Sequence, residues 1–462
     1  NPVVNSSASH IQTQSVFGLV NFSYKNALFF DASLRNDWDS RLPSPHSFQY
    51  YSLGGSGIIS QMVTLPEAIS FLKVSASYAE VGNGGQFGLL SNTYSYSSGV
   101  ANGYIARGGT FSIPGLKPEI VKSTEIGFET KFVNNRYSAK FTYYKSNSTN
   151  QLLQIALPQG TGYNQQYINA GNIQNSGVEI LLSASPVITN DFDWNIDFNI
   201  AFNNNKVIEL SDGLDVVYQG GFTDWGGRPQ IAVGGSYGDL VVSKWARDDN
   251  GKHLVTNAGL PVLSGSVGEQ PSLIGNFNPD GTLGMTHSFR YKNFSMRLLV
   301  DGRFGGVIIS GTEANLAHSG ITESTLPYRE GGWVLGGVNV NGETVDTAIT
   351  SQQFWQTASN KRSATGEFFA YNATNFRVRE LSIGYSMPMT PDSFIKSVKF
   401  SLVARNLLWL YRGESIMDIP GMEKRKMWFD PDVSIGSQNG FQGVEYGMPS
   451  TRSLGFNINL SF

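Results

Sequence analysis

From Phe192 to Asn203 the chain alternates without a break. Phe192, Trp194, Ile196, Phe198, Ile200 and Phe202 are interleaved with Asp193, Asn195, Asp197, Asn199, Ala201 and Asn203. Successive side chains leave a β-strand on opposite faces, so this segment is a strand with one aromatic-aliphatic face and one acidic, amide-rich face. The same period of two runs through Val16–Tyr24, Leu28–Arg35, Ile126–Phe132 and Tyr137–Tyr144. It also runs through "VEILLSA", "LGMTHSFRY", "FSMRLLVDGR", "SVKFSLVARN" and "SLGFNINLSF". Weaker candidates are Tyr50–Ile59, Phe71–Val81, Gly235–Arg247, Lys252–Ser264 and Thr374–Tyr385. In the last of these Arg377 and Arg379 fall in phase with Leu381, Ile383 and Tyr385, which predicts either a bulge or no true strand there. The pattern predicts an all-β chain of about fifteen strands, and 52 glycines suit its many turns.

The connections decide which face meets what. "YKNA", "VNNR" and "YKNF" are tight joints rich in Asn and Lys, as hairpin turns are. Between them lie long joints, at Gly82–Lys122, Asn147–Gln174, Asn204–Gly234, Gly305–Ala373 and Arg412–Pro449. Short and long connections in alternation are the pattern of an antiparallel transmembrane β-barrel, with short periplasmic turns and long extracellular loops. The strands match the ~9–11 residues that cross a bilayer when tilted. Aromatics such as Phe22, Tyr24, Tyr143, Trp194, Tyr291 and Phe462 stand where interfacial girdles belong. The apolar faces are therefore expected to meet lipid and the polar faces a wet lumen. No apolar run approaches the ~18 residues of a spanning helix. Two other readings share the alternation: a passive porin closed by about fourteen strands, and a soluble β-rich adhesin with its apolar faces turned inward.

Little in the chain points to catalysis. Its five histidines, His10, His46, His253, His287 and His318, lack metal-ligand spacing, and there is no cysteine. No G-x-S-x-G elbow is present. "GNGGQFG" misses the dinucleotide spacing, and "RDDNGKH" has Ala246 where a calcium loop needs its first acid. A net charge of -3 gives no basis for nucleic-acid binding. The expectation is no enzyme, no metal and no cofactor. For binding, the candidates are the long-loop aromatics Trp225, Trp333, Trp355 and Trp428, with Tyr163 and Tyr167, and beside them Tyr94 and Tyr104. They offer faces that stack on sugar rings or hold peptide side chains, or else they pack the loops together. Asp31, Arg35, Glu125, Glu129, Lys131, Asp197, Arg297, Asp301 and Arg303 are expected to face the lumen.

Several segments, in order, carry a family resemblance. "GLKPEIVKSTEIGFETKF" enters a glutamate-bearing strand, and Asn169, Gly171, Ile173, Asn175, Gly177 and Glu179 form an N-x-G-x-I-x-N-x-G-x-E pattern. "THSFRYKNFSMRLLVDGRFGG", "RELSIGYSMP", "VARNLLWL" and "FDPDVS" follow. Together they resemble the SusC/RagA-type TonB-dependent transporters of Bacteroidetes outer membranes. The final strand, ending on Phe462, resembles the signal read by the barrel-assembly machinery. The resemblance implies a plugged barrel of about 22 strands in a Gram-negative outer membrane. It implies import of a large glycan or oligopeptide with a SusD-like surface lipoprotein, driven by the TonB complex acting on the plug. The lumenal charges then line the plug. If the "YKNA" joint is periplasmic, the first and last strands run the same way. Antiparallel closure needs an even number, so the chain is expected to be the C-terminal part of the barrel, without the plug and the first strands.

Overall fold

A computed structural model describes residues 8–97, 103–211, 213–219, 226–360, 364–390, 393–432 and 450–462. Thirteen long strands carry the fold. They are β1 (Thr13–Tyr24), β2 (Leu28–Asp39), β3 (Ser47–Ile58), β4 (Ile69–Asn83), β5 (Glu119–Phe132), β6 (Tyr137–Ala156) and β7 (Gln165–Ile188). Then come β8 (Phe192–Glu209), β9 (Gly281–Tyr291), β10 (Phe294–Phe304), β11 (Asn375–Met387), β12 (Ser397–Arg412) and β13 (Ser453–Ser461). Each pairs with its chain neighbours in order, in a fourteen-stranded sheet whose other member, Thr110–Phe111, attaches to β7. The all-β expectation holds, with fewer long strands than expected. Gly235–Arg247 keeps only Asp239–Val242, in a separate four-stranded sheet, and Lys252–Ser264 makes only isolated bridges. Their apolar residues Leu240, Val242, Trp245 and Val255 are drawn into a packed core instead. Among the described residues no helix is long and apolar enough to cross a membrane.

The ladders fix the faces, because residues directly opposite in an antiparallel pair share one. Phe289, Met296, Ile383, Leu402 and Phe456 form one apolar row from β9 to β13, beginning opposite Trp194 of β8. Asp197 lies opposite Thr286, and Arg297 and Asp301 stand on that same face of β10. On the other strands Asn21, Asp31, Gly54, Ser77, Glu125 and Tyr144 form one row, with Arg35, Glu129 and Lys131 in phase. Phe17 and Leu19 share that polar-lined face, opposite Arg35 and Ser33. The phase break in β11 is a bulge: the register with β10 shifts between Leu299 and Val300, whose partners are Glu380 and Val378, leaving Arg379 as the extra residue.

The tight joints are as expected. Lys25 and Asn26 have φ of 51° and 54°, and Lys292 has φ of 50°, the left-handed backbone a short hairpin demands. The expected loop Asn147–Gln174 is mostly strand. β6 runs 20 residues and β7 runs 24, joined by residues 157–164 alone. Beyond the apolar band both faces are polar, as in "SNSTNQ" of β6, so the ladder continues while the alternation that announces it disappears.

The chain divides into two compact units. The first holds β1 to β6, most of β7, the end of β8 and the connection after β4. The second holds the β7–β8 hairpin end, β9 to β13 and the largest connections. In this second unit the expected loops Gly305–Ala373 and Arg412–Pro449 are not open loops, so far as they are described. With residues 237–280 they build a core of Trp245, Trp333, Phe354, Trp355, Phe368 and Phe369, among others. Two helices brace it, α1 (Gly311–His318) and α2 (Ser351–Ser359). Thr350 and Gln353 close a capping box at the start of α2, so its first backbone donors are satisfied.

Candidate functional site

The motif segments fasten the chain to itself. In the first unit Asn169 of β7 accepts from the Lys117 amide at 2.8 Å and donates to the carbonyls of Lys117 at 2.9 Å and Asn150 at 2.8 Å. Gly171 has φ of +39°, and a Cβ there would overlap the Glu209 carbonyl. Asn175 accepts from Asn205 at 2.9 Å, and Ile173 is buried. The "GLKPEI" and N-x-G-x-I segments thus meet each other, and Glu119 accepts from the Leu152 amide at 2.7 Å.

In the second unit the strand leading into "RELSIGY" meets "FDPD", the described part of the last motif. Arg377, whose side chain is 3% exposed, binds Asp301 at 3.0 Å, Asp430 at 2.7 Å and also Asp432. Arg379 reaches Asp301 at 2.5 Å and Asp432 at 3.1 Å. The bulge is what allows this: it spends one extra residue so that Arg379 joins Arg377 on the polar face, while Leu381, Ile383 and Tyr385 stay on the apolar one. Trp409 lies under Arg377, 4.9 Å from its guanidinium carbon. Arg377 is compensated three times over, and removing it would leave Asp430, whose side chain is 4% exposed, as a buried charge without its partner.

The segment pinned by this cluster forms one wall of a cleft of about 820 Å³. Its floor is Glu313 of α1 with Tyr371 and Arg425. Arg425 binds Glu313 at 3.0 Å, donates to the Phe368 carbonyl and stacks against Trp355 and Tyr371 at 5.2 and 5.5 Å. Tyr371 donates to the other Glu313 oxygen at 2.5 Å. Burial first, then Glu313, push the Tyr371 hydroxyl above its ordinary pKa, so it stays a donor. Ile321, Pro327 and Met422 line the cleft with Lys424, Lys426 and the exposed Trp428. The floor is rigid and neutralised; the mouth carries an aromatic ring and unburied cations.

The sequence candidates fall into distinct places. Trp333 and Trp355 are 2% and 1% exposed, donating to the Pro420 carbonyl at 2.9 Å and the Ser324 carbonyl at 3.2 Å. Tyr163 is buried under Arg107, 3.9 Å from its ring. These three rings have no free face for a ligand, and packing rather than stacking on cargo accounts for them. Tyr167 is half-buried against Leu42 and Phe48. Trp428 alone of the four tryptophans lies open at a cleft among the described residues, and Trp225 lies outside them. Tyr94 and Tyr104 are exposed on a two-stranded hairpin.

Of the polar-face candidates, Arg35 binds Asp37 at 2.6 Å and Asp197 accepts from Ser183 at 2.7 Å. Asp31 lies over Gly54, and Lys131 sits 5.4 Å from the Phe71 ring. Asp301 joins the arginine cluster, while Glu125, Glu129 and Arg297 stand in the ladder without joining a cluster among the described residues. Glu313, Arg377, Arg379, Arg425, Asp430 and Asp432 were not singled out by sequence as site residues. The phase break and the paired acids of "FDPDVS" were their only signals.

Comparison with known proteins agrees with this architecture. Residues 1–407 match the family described as TonB dependent receptor-like, beta-barrel. TonB-dependent receptor P3 of Formosa agariphila is 25% identical, over 97% of this chain and 45% of its own length. TonB-dependent receptor SusC of Bacteroides thetaiotaomicron is 24% identical, over 80% of this chain and 37% of its own. The chain thus spans about half the length, or less, of the curated relatives it matches. Among solved structures, the RagAB peptide importer in its 'closed-closed' state aligns with a TM-score of 0.72 and 20% identity, over 97% of this chain and 48% of that one. These relatives are receptors and transporters rather than enzymes, and they bear out the SusC/RagA-type resemblance. The chain belongs to the TonB-dependent receptor-like β-barrel family.

Proposed function

We propose that this chain is barrel wall and outer loops of an energy-driven outer-membrane importer, taking a large oligosaccharide or oligopeptide handed to it by a SusD-like surface lipoprotein. The TonB complex acts through a plug against the polar face, where Asp31, Arg35, Glu125, Glu129, Lys131, Asp197, Arg297 and Asp301 lie. The observation that carries the reading is the packed outer scaffold: fully buried Trp245, Trp333 and Trp355 hold a wide cleft open with Trp428 at its mouth. A passive pore has no need of an aromatic core above its strands. Trp428 supplies a flat face for a sugar ring or a peptide side chain, and Tyr167, within β7, packs against the cluster of Leu42, Phe48, Leu89 and Leu116.

The test is uptake of labelled oligosaccharides and oligopeptides by cells carrying the full-length transporter, with Trp428→Ala alongside. Uptake of one class should stop when TonB is deleted or the proton gradient is collapsed. Trp428→Ala should weaken cargo binding about ten-fold, in line with the ~1.4 kcal/mol of one aromatic contact, at unchanged barrel yield. Uptake indifferent to TonB and to the gradient would overturn the importer reading in favour of a passive channel.

A further inference from the structure

Arg303 sits on the polar face of β10 at the end away from the "YKNF" turn, and it is poorly satisfied. Its side chain is 18% exposed, yet the closest carboxylate oxygen is that of Asp432, at 3.5 Å. Its Nη2 reaches the Phe277 carbonyl at 3.4 Å, and its buried Nε has no partner among the described residues. Both distances lie at or past the edge of useful N–H···O geometry. A buried guanidinium nitrogen left unpaired among the described residues is rare enough to need an explanation. Its neighbours do not supply one. Asp430, whose side chain is 4% exposed, is tied to Arg377 and caps the Asp432 amide at 3.0 Å, so it is fixed. Asp301 is taken by Arg377 and Arg379. That leaves Asp432, 40% exposed, serving Arg303, Arg377 and Arg379 with one carboxylate.

We propose that Arg303 and Arg379 form an anion subsite for a carboxylate group, and that Asp432 is its built-in competitor. Arg379 is 36% exposed and its Nη1 is held only by the Asn406 side-chain oxygen at 3.4 Å, Arg303 brings an Nε unpaired among the described residues, and saturated Arg377 is the post on which both are built. Arginine is suited to this because its planar fork binds a carboxylate bidentately. When a ligand carboxylate takes the subsite, Asp432 swings out and Asp430 stays. Displacement of Asp432 therefore signals occupancy to the segment carrying Trp428 without unfolding it. The subsite rests on the importer reading only in that its ligand is cargo, which selects acidic peptides or uronic-acid glycans.

The test is calorimetric titration of the full-length transporter in detergent with glutarate, and with glutaramide as the uncharged control. Asp432→Asn, which keeps the shape and removes the competitor's charge, should bind glutarate at least ten-fold more tightly than the unaltered protein. Adding Arg303→Gln should abolish that gain, Arg303→Lys should restore part of it, and glutaramide should not bind. A glutamyl peptide and a glucuronate disaccharide then compete with glutarate, and whichever displaces it identifies the carboxylate's source. Equal glutarate affinity with and without Asp432→Asn, in protein that still shows heat-modifiable migration, would overturn the proposal. So would displacement by neither compound. Uptake is measured separately, so loss of import with carboxylate binding intact tells against the importer reading and leaves the subsite standing.

Discussion

Neighbouring residues of β8 should respond oppositely to substitution, and the geometry sets the size of the difference. From Phe192 to Phe202 the apolar positions span ten steps of about 3.3 Å; tilted by about 40°, they rise roughly 25 Å, the height of the apolar band of an outer-membrane barrel. Ile196 is four steps in, about 10 Å from the Phe192 end and close to the midplane. It faces His287 across the ladder and belongs to the row of Trp194 and Phe198. An arginine there costs about 2–4 kcal/mol, or roughly 30- to 1,000-fold in the folding equilibrium. Phe192→Arg, at the rim, should cost about 0–1 kcal/mol. Asp197 lies on the other face and accepts from Ser183 at 2.7 Å; Asp197→Asn keeps an acceptor and should cost about 1 kcal/mol or less. The assay is urea-dependent folding of the full-length transporter into lipid vesicles, read by heat-modifiable migration. Spin labels at Ile196, Phe198 and Ile200 supply the independent check. They should be relaxed by oxygen dissolved in the bilayer and shielded from a water-soluble nickel reagent. Equal access for nickel and oxygen, or equal costs for Ile196→Arg and Phe192→Arg, refutes the assignment of this face to lipid.

Further outcomes follow from other parts of the structure. Gly171→Ala should cost about 1–3 kcal/mol or more, because the residue needs φ of +39° and the Glu209 carbonyl occupies the Cβ position; undiminished barrel yield would remove Gly171 from this role. Trp355→Ala should loosen the outer core by about 3–5 kcal/mol, seen as faster hydrogen exchange in α1 and α2, with heat-modifiable migration of the strands retained. His253 stacks on Trp245 at 4.0 Å, and burial, helped by Arg247, holds its pKa below the ordinary value. Both folded and unfolded states are neutral above about pH 6.5, so its contribution is whole there. The contribution is lost as pH falls through the depressed folded value, since the unfolded chain takes up the proton first. Hydrogen exchange around Trp245 should accelerate over that range, and His253→Gln should flatten the response.

The strands were legible because an apolar face backed by a polar one imposes alternation: Phe289, Met296, Ile383, Leu402 and Phe456 alternate with mainly polar residues in the sequence, and the ladders join them in one row. Legibility stopped where that constraint stopped. The polar outer parts of β6 and β7 have two wet faces, so nothing in "SNSTNQ" distinguishes a ladder from a loop. The apolar runs around Trp245 and Val255 looked like strands because a short buried run has no period of its own. α2 did carry a signal, the Thr350–Gln353 capping box ahead of Phe354 and Trp355. In the candidate site, the tryptophans of the long loops were visible as a group, but a sequence cannot tell Trp333, whose Nε1 meets the Pro420 carbonyl, from Trp428, whose ring is open.

The same contrast explains what the recognisable motifs are for. Outer connections must vary in length and content if one barrel design is to serve different cargoes, and loops tolerate such change because few ladder bonds depend on them. Their roots cannot vary in the same way. A root must end one ladder, satisfy the freed backbone groups and aim the segment above it. Here Asn169 stitches three backbone groups at one root, and Gly171 admits the Glu209 carbonyl beside it. At the other root, the bulge at Arg379 turns two arginines onto Asp301, Asp430 and Asp432. These are the segments that carry the resemblance read from the sequence, and none of their described residues lines the cleft. On the importer reading proposed for this chain, cargo contact falls to the residues they position, the Trp428 segment above all, while the motifs anchor a loop.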